Sequence, residues 1–297
     1  MAMERLVPAR PRGLRVYRRV RVNFLSKLGL SVILWMIVAV VVMPLVWATI
    51  TSFEPDSVTS KYPPTIVPTR VTLRNYFELF KVLPYARYYI NSLEVALATA
   101  VLSIVLSASA AYSLARFRTR ASEAASYVGL AAYMLPGILI AVPIFRMVHA
   151  IHQLDSVPAL VGVYTAYIVP FAVWQLRSYF SGIPKEMEEA AMVDGATRFE
   201  AFYKIVLPQA LPGLIATGIL AFALAWNEFL FASLLLFTPD HQTLSAGLAT
   251  VLIGQFSLYS WGTLMAAAVL MTVPILIVFI FVQKRLVAGV SSGGVKG

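Results

Sequence analysis

The sequence predicts an all-α integral membrane protein with six transmembrane helices. Of its 297 residues, 59% are hydrophobic and 13% are charged, whereas soluble domains contain roughly 25% charged residues. Its mean hydropathy is +0.78. Six apolar runs approach or exceed the roughly 20 residues that a helix needs to cross a hydrocarbon core of about 30 Å. They are residues 28–51, 91–115, 125–147, 157–178, 211–236 and 263–283. The runs are continuously apolar, which favours helices over the alternating strands of a barrel.

The first run resembles a signal peptide because a basic stretch precedes it. The apolar region of a signal peptide has about 7–15 residues and ends at a small-residue cleavage site. This run is longer and continues through Pro44, Leu45, Val46 and Trp47. We therefore expect an uncleaved helix that stays in the protein.

The basic residues define the orientation. Most of the 24 lysines and arginines lie in the tail before the first run, between the second and third runs, after the fourth run and at the C-terminal end. The positive-inside rule places these segments, and both termini, in the cytoplasm. We expect a basic cytoplasmic tail at 1–27, a transmembrane domain at 28–285 and a cytoplasmic tail at 286–297. The net charge of +10 then reflects topology and contact with lipid headgroups, not nucleic-acid binding.

Two patterns concern helix packing. Small side chains recur every fourth residue in the second run, which predicts a close helix–helix seam rather than a chance pattern in a helix rich in alanine and serine. These residues are Thr99, Ser103, Ser107, Ala111 and Ala115. Prolines in or near the runs either mark kinks or reflect the ordinary use of proline in membrane helices. They are Pro44, Pro136, Pro143, Pro170 and Pro274.

Two external segments are expected, at 52–90 and 237–262. The first contains five prolines around an amphipathic stretch, Leu73–Phe80, and is predicted to form an ordered cap or an interfacial helix. His149, His152 and Asp155 lie at an external helix end without a further ligand nearby, so we expect solvated side chains and no metal site. The sequence has no cysteine, which excludes disulfides.

The charged segment at 183–208 predicts two short helices on the cytoplasmic side. Pro184 suits the first position of a helix, and Gly195 can end that helix in a left-handed conformation. Thr197 and Glu200 form a capping-box pattern for a second helix that ends before Pro208. Phe199, Phe202, Ile205 and Val206 are expected to face the bundle, whereas Arg198, Glu200 and Lys204 face water or a partner. By pattern alone, this segment is either a docking site or a solvated loop.

The same segment resembles the EAA motif of ABC importer permeases. The matching stretch is Glu189-Ala-Ala-Met-Val-Asp-Gly-Ala196, followed by Ile205, Leu207 and Pro208. Three further stretches resemble the second permease of maltose-type carbohydrate importers: Asn91-Ser-Leu93, Ala225-Trp-Asn-Glu-Phe-Leu230 and the C-terminal end from Lys284. The resemblance covers residues 25–297 and omits most of the basic tail.

This resemblance implies a type I ABC importer permease in the inner or plasma membrane of a prokaryote. The chain would pair with a second, homologous permease, with two ATPase subunits and with an extracytoplasmic solute-binding protein that delivers a sugar. ATP and Mg²⁺ would bind the ATPase, and this chain would hydrolyse nothing, in agreement with the lack of a G-x-x-x-x-G-K-[ST] motif. The matched residues Glu189, Ala190, Ala191, Asp194, Gly195 and Ala196 would couple the permease to the ATPase. The tail at 286–297 would reach the ATPases, and the loop at 238–260 would touch the binding protein.

Polar residues inside the fifth run suggest a transport path. Glu228 lies beside Trp226 and Asn227, and an ionisable side chain at membrane depth indicates function because its burial is costly. These residues either line a polar cavity for sugar or bond helices together, for example to the partner permease.

The substrate class follows from the resemblance: a disaccharide or oligosaccharide such as trehalose or a maltose-like sugar. The alternatives are another polyol or a glycerol-phosphate-type solute. The lack of lysine or arginine deep in the runs favours a neutral solute. A secondary transporter would show inverted repeats and several intramembrane carboxylates, and an intramembrane enzyme would show paired catalytic groups. Neither pattern occurs.

Overall fold

The computed structural model describes residues 24–59, 70–117, 119–254 and 260–293, and within them it contains helices and no strand. The basic tail predicted at 1–27 lies largely outside the described residues, as do residues 294–297. The α-helices, in chain order, are α1 Phe24–Ser52, α2 Asp56–Thr59, α3 Arg74–Val82, α4 Tyr85–Arg116, α5 Arg120–Tyr133, α6 Gly137–Ala150, α7 Val157–Gly182, α8 Glu186–Val193, α9 Arg198–Ala201, α10 Leu207–Gln209, α11 Leu211–Asn227, α12 Leu230–Leu235, α13 Leu244–Gly254 and α14 Trp261–Gly293. By contacts, the chain divides into two units, Met1–Trp47 and Ala48–Gly297.

Four predicted spans appear as single helices. In the described part of the chain, α1, α4, α7 and α14 are long and apolar enough to cross a membrane, and up to six spans result if each of two bent helix pairs counts as one. The helix α4 begins at Tyr85, six residues before the predicted start. The helix α14 continues to Gly293, so the first residues of the predicted C-terminal tail are helical.

The third predicted span is broken into two helices, which count together as one bent span. α5 and α6 meet at an angle of 96°. Pro136 precedes α6 as its cap residue. Proline donates no backbone hydrogen bond and disfavours helical geometry in the residue before it, here Leu135, so the helix breaks at this point. By contrast, Pro44, Pro143, Pro170 and Pro274 lie inside helices that continue past them.

The fifth predicted span is also interrupted. α11 ends at Asn227, and the short helix α12 begins at Leu230. Beyond α12, the second external segment is more ordered than a loop, because it holds a 3₁₀ turn at Pro239–His241 and the helix α13. Residues 255–259 of this segment lie outside the described residues.

The core of the second unit forms where α4 packs most extensively on α7 and next on α11. The predicted seam of small side chains in α4 is confirmed, since Thr99, Ser103, Ser107, Ala111 and Ala115 are all buried. Small residues let helix backbones approach closely, which replaces the hydrophobic driving force that lipid does not supply. The seam therefore sets the spacing of the central helices.

A larger side chain in this seam should destabilise the protein. We expect Ala111→Leu, at a fully buried position, to cost about 1–3 kcal/mol through overpacking. Thermal unfolding of the purified protein in detergent measures this cost. Val105→Leu is the matched control, because Val105 lies on the same helix and is 62% exposed. Equal unfolding midpoints for the two variants would contradict the assigned seam.

Candidate functional site

The segment that carries the EAA-like motif folds as two short helices joined by a tight turn. α8 ends in a hydrogen-bonded motif in which the Gly195 amide donates to the Met192 carbonyl (3.1 Å) and the Ala196 amide donates to the Ala191 carbonyl (3.0 Å). Gly195 has a φ of 95°, which favours glycine. This pair of bonds is the Schellman motif, and it confirms the predicted end of the first helix.

The second helix begins as predicted. The Thr197 hydroxyl accepts from the Glu200 amide (3.2 Å), and the Glu200 carboxylate accepts from the Thr197 amide (2.9 Å). The Thr197 amide, then Lys204 and the Thr197 hydroxyl, lower the pKa of the Glu200 carboxyl to about 2. The carboxylate is therefore ionised at neutral pH and keeps both capping bonds.

The end of this helix differs from the prediction. It continues through a wide π-type turn, Phe202–Val206, and through Pro208 to Gln209, where it bends by 74° into α11. In a π-type turn each hydrogen bond reaches the fifth residue, here from the Leu207 amide to the Phe202 carbonyl. The turn is therefore locally wider, which leaves room for the ring of Pro208.

The motif residues lie at the surface of this segment. Glu189, Ala190, Asp194, Gly195 and Pro208 are exposed. Those that are half-buried are Ala191, Ala196, Ile205 and Leu207. We call residues 186–209 the coupling segment. Its motif residues are accessible to another protein, whereas their functional role stays a prediction.

The apolar face of the second helix was predicted only in part. Val206 is buried, and the Phe202 ring packs on Tyr112 with 4.5 Å between ring centres. Phe199, however, is 75% exposed instead of facing the bundle. The wide turn explains the error, since it shifts the register between Phe199 and the residues after it. Val193 and Tyr203 are likewise exposed, so the coupling segment presents apolar side chains as well as charges.

A buried ion pair attaches the coupling segment to the helix bundle. Glu188 of α8 binds Arg116, the last residue of α4, and the two side chains are only 7% and 5% exposed. The Tyr112 hydroxyl donates to the same carboxylate (2.7 Å), and Arg116 donates to the Phe180 carbonyl of α7 (3.0 Å). No local pattern predicts this pair, because its members are 72 residues apart in the sequence.

The three residues proposed for a transport path have different surroundings. Trp226 is buried, and its indole N–H donates to the Met271 carbonyl of α14 (3.1 Å). Asn227 is exposed, and its side chain donates to the Ala223 carbonyl of its own helix (2.8 Å). Glu228 lies in the break between α11 and α12. Of the three, only Asn227 is exposed on this chain.

The Glu228 carboxylate organises the helix break. It accepts hydrogen bonds from the Phe231 amide (3.0 Å) and the Ala232 amide (3.2 Å), which are unpaired donors at the start of α12. The Tyr164 hydroxyl of α7 donates to it (2.5 Å), and the Ser245 hydroxyl of α13 donates to its backbone carbonyl (2.6 Å). Glu228 thus joins three helices within this chain.

The opposite end of the bundle carries a second polar cluster, around Asp155. The Asp155 carboxylate accepts from the Phe237 amide (2.9 Å), the Thr238 amide (3.0 Å) and His241 (3.0 Å). The expectation of a solvated side chain was therefore wrong for Asp155. Partial burial raises the pKa of its carboxyl, but the bonds from Thr238, Phe237 and His241 outweigh burial and lower the pKa to about 2. Among the described residues, no group of side chains with metal-ligand spacing occurs.

The same external segment is bonded to the start of α4. The Asn91 side chain donates to the Asp240 carbonyl (2.8 Å) and the Gln242 carbonyl (3.0 Å). The Ser92 hydroxyl accepts from the Leu244 amide (2.7 Å). Asp155 and the Asn91–Ser92 pair therefore fix this segment from two sides.

Known proteins with similar sequences are transport permeases. The family described as "Binding-protein-dependent transport system inner membrane component" matches residues 103–292. The inner membrane ABC transporter permease protein YcjP of Escherichia coli (strain K12) is 34% identical over 277 residues, which cover 92% of this chain and 98% of that protein. The trehalose transport system permease protein SugB of Mycobacterium tuberculosis (strain CDC 1551 / Oshkosh) is 33% identical over 262 residues, which cover 88% and 95%.

A solved structure shares the fold. The crystal structure of a bacterial ABC transporter involved in the import of the acidic polysaccharide alginate contains a chain that aligns with a TM-score of 0.77 at 21% identity, over 89% of this chain and 97% of that chain. Members of the matched family are permease components and not enzymes, because ATP hydrolysis occurs in a separate subunit. The chain belongs to the binding-protein-dependent transport system inner membrane component family and is a multi-pass inner-membrane permease of the carbohydrate ABC importer type.

Proposed function

We propose that this chain is one of two homologous permeases in a prokaryotic ATP-driven importer for a disaccharide or oligosaccharide such as trehalose or a maltose-like sugar. The importer would contain two ATPase subunits that bind ATP and Mg²⁺, and an extracytoplasmic binding protein that delivers the sugar. Related permeases 33–36% identical to this chain serve, by name, trehalose, trehalose and maltose, diacetylchitobiose and sulfoquinovosyl glycerol. Each of the solutes in these four names contains a sugar unit.

The observation that carries the proposal is the surface position of the motif residues. Glu189, Ala190, Asp194 and Gly195 are exposed on a compact two-helix segment, and exposed apolar residues beside them, Val193 and Phe199, are typical of a surface that another protein covers. In the proposed complex, this surface rests against the ATPase, and Ile205, Leu207 and Pro208 position its second helix.

The external segment at 237–243 is the proposed contact for the binding protein. It lies at the end of the bundle opposite the coupling segment, because it bonds to Asn91 near the start of α4, whereas Arg116 at the other end of α4 binds Glu188. The bonds from Asp155 and Asn91 hold this segment in one conformation. A preformed contact surface costs less entropy on binding.

Reconstitution tests this function. The chain is co-expressed with a partner permease and an ATPase, the complex is placed in liposomes, and uptake of labelled trehalose and maltose is measured with and without a binding protein. We expect uptake that requires both ATP and the binding protein. Uptake of a polyol or a glycerol phosphate in place of these sugars would assign the alternative substrate class. Uptake driven by an ion gradient without ATP would contradict the proposal.

A substitution in the coupling segment tests whether this segment docks on the ATPase. Ala190→Leu enlarges an exposed small residue, so the chain should fold normally, while overpacking against the ATPase should cost about 1–3 kcal/mol, or about a 5- to 150-fold loss of affinity. Co-purification of the ATPase with the permease measures this loss. Ala124→Leu, at an exposed alanine of α5, is the control. Normal assembly and uptake for Ala190→Leu would exclude docking through this face.

The buried ion pair should transmit movement of the coupling segment to α4 and α7. Glu188→Gln preserves the shape of the side chain but leaves the buried charge of Arg116 unpaired, which costs about 3–5 kcal/mol for buried pairs. We expect lower thermal stability and weaker stimulation of ATP hydrolysis by the loaded binding protein. Glu186→Gln, at an exposed position of the same helix, should change neither quantity.

A double variant separates the charge from the packing. Arg116→Gln combined with Glu188→Gln removes both buried charges, so its loss of stability should be smaller than the sum of the two single losses. Strict additivity of the losses would show that the two side chains do not interact as assigned.

The transport path is proposed to include Asn227, with Trp226 and Glu228 supporting it from within the chain. Asn227→Ala should leave stability within about 0.5 kcal/mol but raise the sugar concentration needed for half-maximal uptake. Glu228→Gln should lower the unfolding midpoint, because loss of a helix cap costs about 0.5–2 kcal/mol. Unchanged uptake by a correctly assembled Asn227→Ala complex would remove this residue from the path.

A further inference from the structure

The short helix α3 and its cap residue Leu73 carry an apolar stripe that stays more than half exposed within the described part of the chain. Leu73, Phe77 and Phe80 are 56%, 65% and 52% exposed. Their spacing of four and then three residues places them on one face of the helix. Two exposed phenylalanines on a nine-residue helix are an unusual surface for contact with water.

The other side of α3 is firmly attached, so the helix cannot rotate to bury the stripe. Leu79 and Asn75 are buried. The Asn75 side chain donates to the carbonyls of Ser52 (2.9 Å), the last residue of α1, and Glu54 (2.8 Å), two residues later. At position 262, at the start of α14, a side chain larger than glycine would collide with Asn75. The orientation of α3 is therefore set by specific contacts.

Charged residues flank the stripe. Arg74 forms an ion pair with Glu78 (2.6 Å), and the Arg74 side chain is 74% exposed. Lys81 is also exposed. The helix thus has a protein-facing edge, an apolar stripe and a charged flank. An amphipathic helix with aromatic and leucine residues beside basic ones is typical of the lipid–water boundary.

The position of α3 along the bundle agrees with such a boundary. The Phe80 ring packs edge-on against Tyr85, the first residue of α4, with 5.4 Å between ring centres. α4 has 32 residues and is therefore about 48 Å long, whereas a bilayer including headgroups is about 40–45 Å thick. Because the Arg116 end of α4 is at the coupling segment, Tyr85 and α3 lie near the opposite membrane surface.

We infer that α3 is an interfacial helix whose Leu73–Phe77–Phe80 stripe inserts into the outer boundary of the bilayer. The helix α4, which begins beside the stripe, also exposes apolar side chains along its length, such as Ile90 and Val105. Arg74 and Lys81 place their charges at the headgroup level, where phospholipid phosphates accept hydrogen bonds. In this position α3 anchors the external end of the bundle.

The absence of cysteine from the sequence makes a direct test simple. Spin labels are attached to single-cysteine variants of the full complex in nanodiscs of phosphatidylethanolamine and phosphatidylglycerol. Leu73→Cys, Phe77→Cys and Phe80→Cys report on the stripe, and Arg74→Cys and Lys81→Cys are matched controls on the same helix. Collision rates with oxygen, which concentrates in lipid, and with a water-soluble nickel complex are then compared.

We expect labels on the stripe to collide mainly with oxygen and labels at the two control positions to collide mainly with the nickel complex. Preferential collision of the stripe with nickel would show that it faces water and would overturn the inference. Immobile stripe labels that neither reagent reaches would also overturn it, because another protein would then cover the stripe. Each position reports independently, and co-purification of the ATPase checks that each variant is folded. The readout does not depend on transport, so failure of the proposed sugar importer function would not affect it.

Discussion

The structure depends on one constraint: in hydrocarbon, every backbone N–H and C=O group needs a partner within the protein. Continuous helices meet it by themselves, but helix breaks and buried turns do not. Polar side chains take over at these places. The Glu228 carboxylate accepts from the free amides of α12, Asn91 donates to two carbonyls of the external segment, and Asn75 donates to two carbonyls at the C-terminal end of α1. These three side chains therefore have a structural role that needs no contact with a solute.

This constraint changes the interpretation of the intramembrane carboxylate. Removing a carboxylate from water is costly unless it is hydrogen-bonded, and the half-buried Glu228 is bonded to two amides and a tyrosine hydroxyl. It thereby fixes α7, α12 and α13 around the break, whereas the Asn227 side chain is exposed. The Arg116–Glu188 pair at the coupling segment is also buried. Each of its charges compensates the cost of burying the other. In the proposed importer, docking of the ATPase would therefore move α4 and α7 together with α8.

Much of the fold and of the coupling segment follows from local patterns. Four spans, the capping box at Thr197, the turn at Gly195 and the seam on α4 were predicted because each rests on residues that are close in sequence. The errors have two causes, irregular local geometry and contacts between distant segments. The break before α6 was read as a possible kink, although Pro136 produces a 96° bend. Phe199 was assigned to the bundle because the wide turn at Phe202–Val206 is not visible as a pattern. Asp155 was expected in solvent because its partners follow about 80 residues later.

The sequence by itself determined that the protein lies in a lipid bilayer, that it is helical, that it has a two-helix coupling segment, and to which family it belongs. These properties depend on composition, on helical period and on short motifs, in which the interacting residues lie within a turn or two of each other. Only the tertiary structure decided which polar groups meet: Glu188 with Arg116, Glu228 with Tyr164, Asp155 with His241 and Asn75 with the C-terminal end of α1. Such pairs form between distant segments, and the balance between desolvation and hydrogen bonding that selects them exists only once the helices have packed.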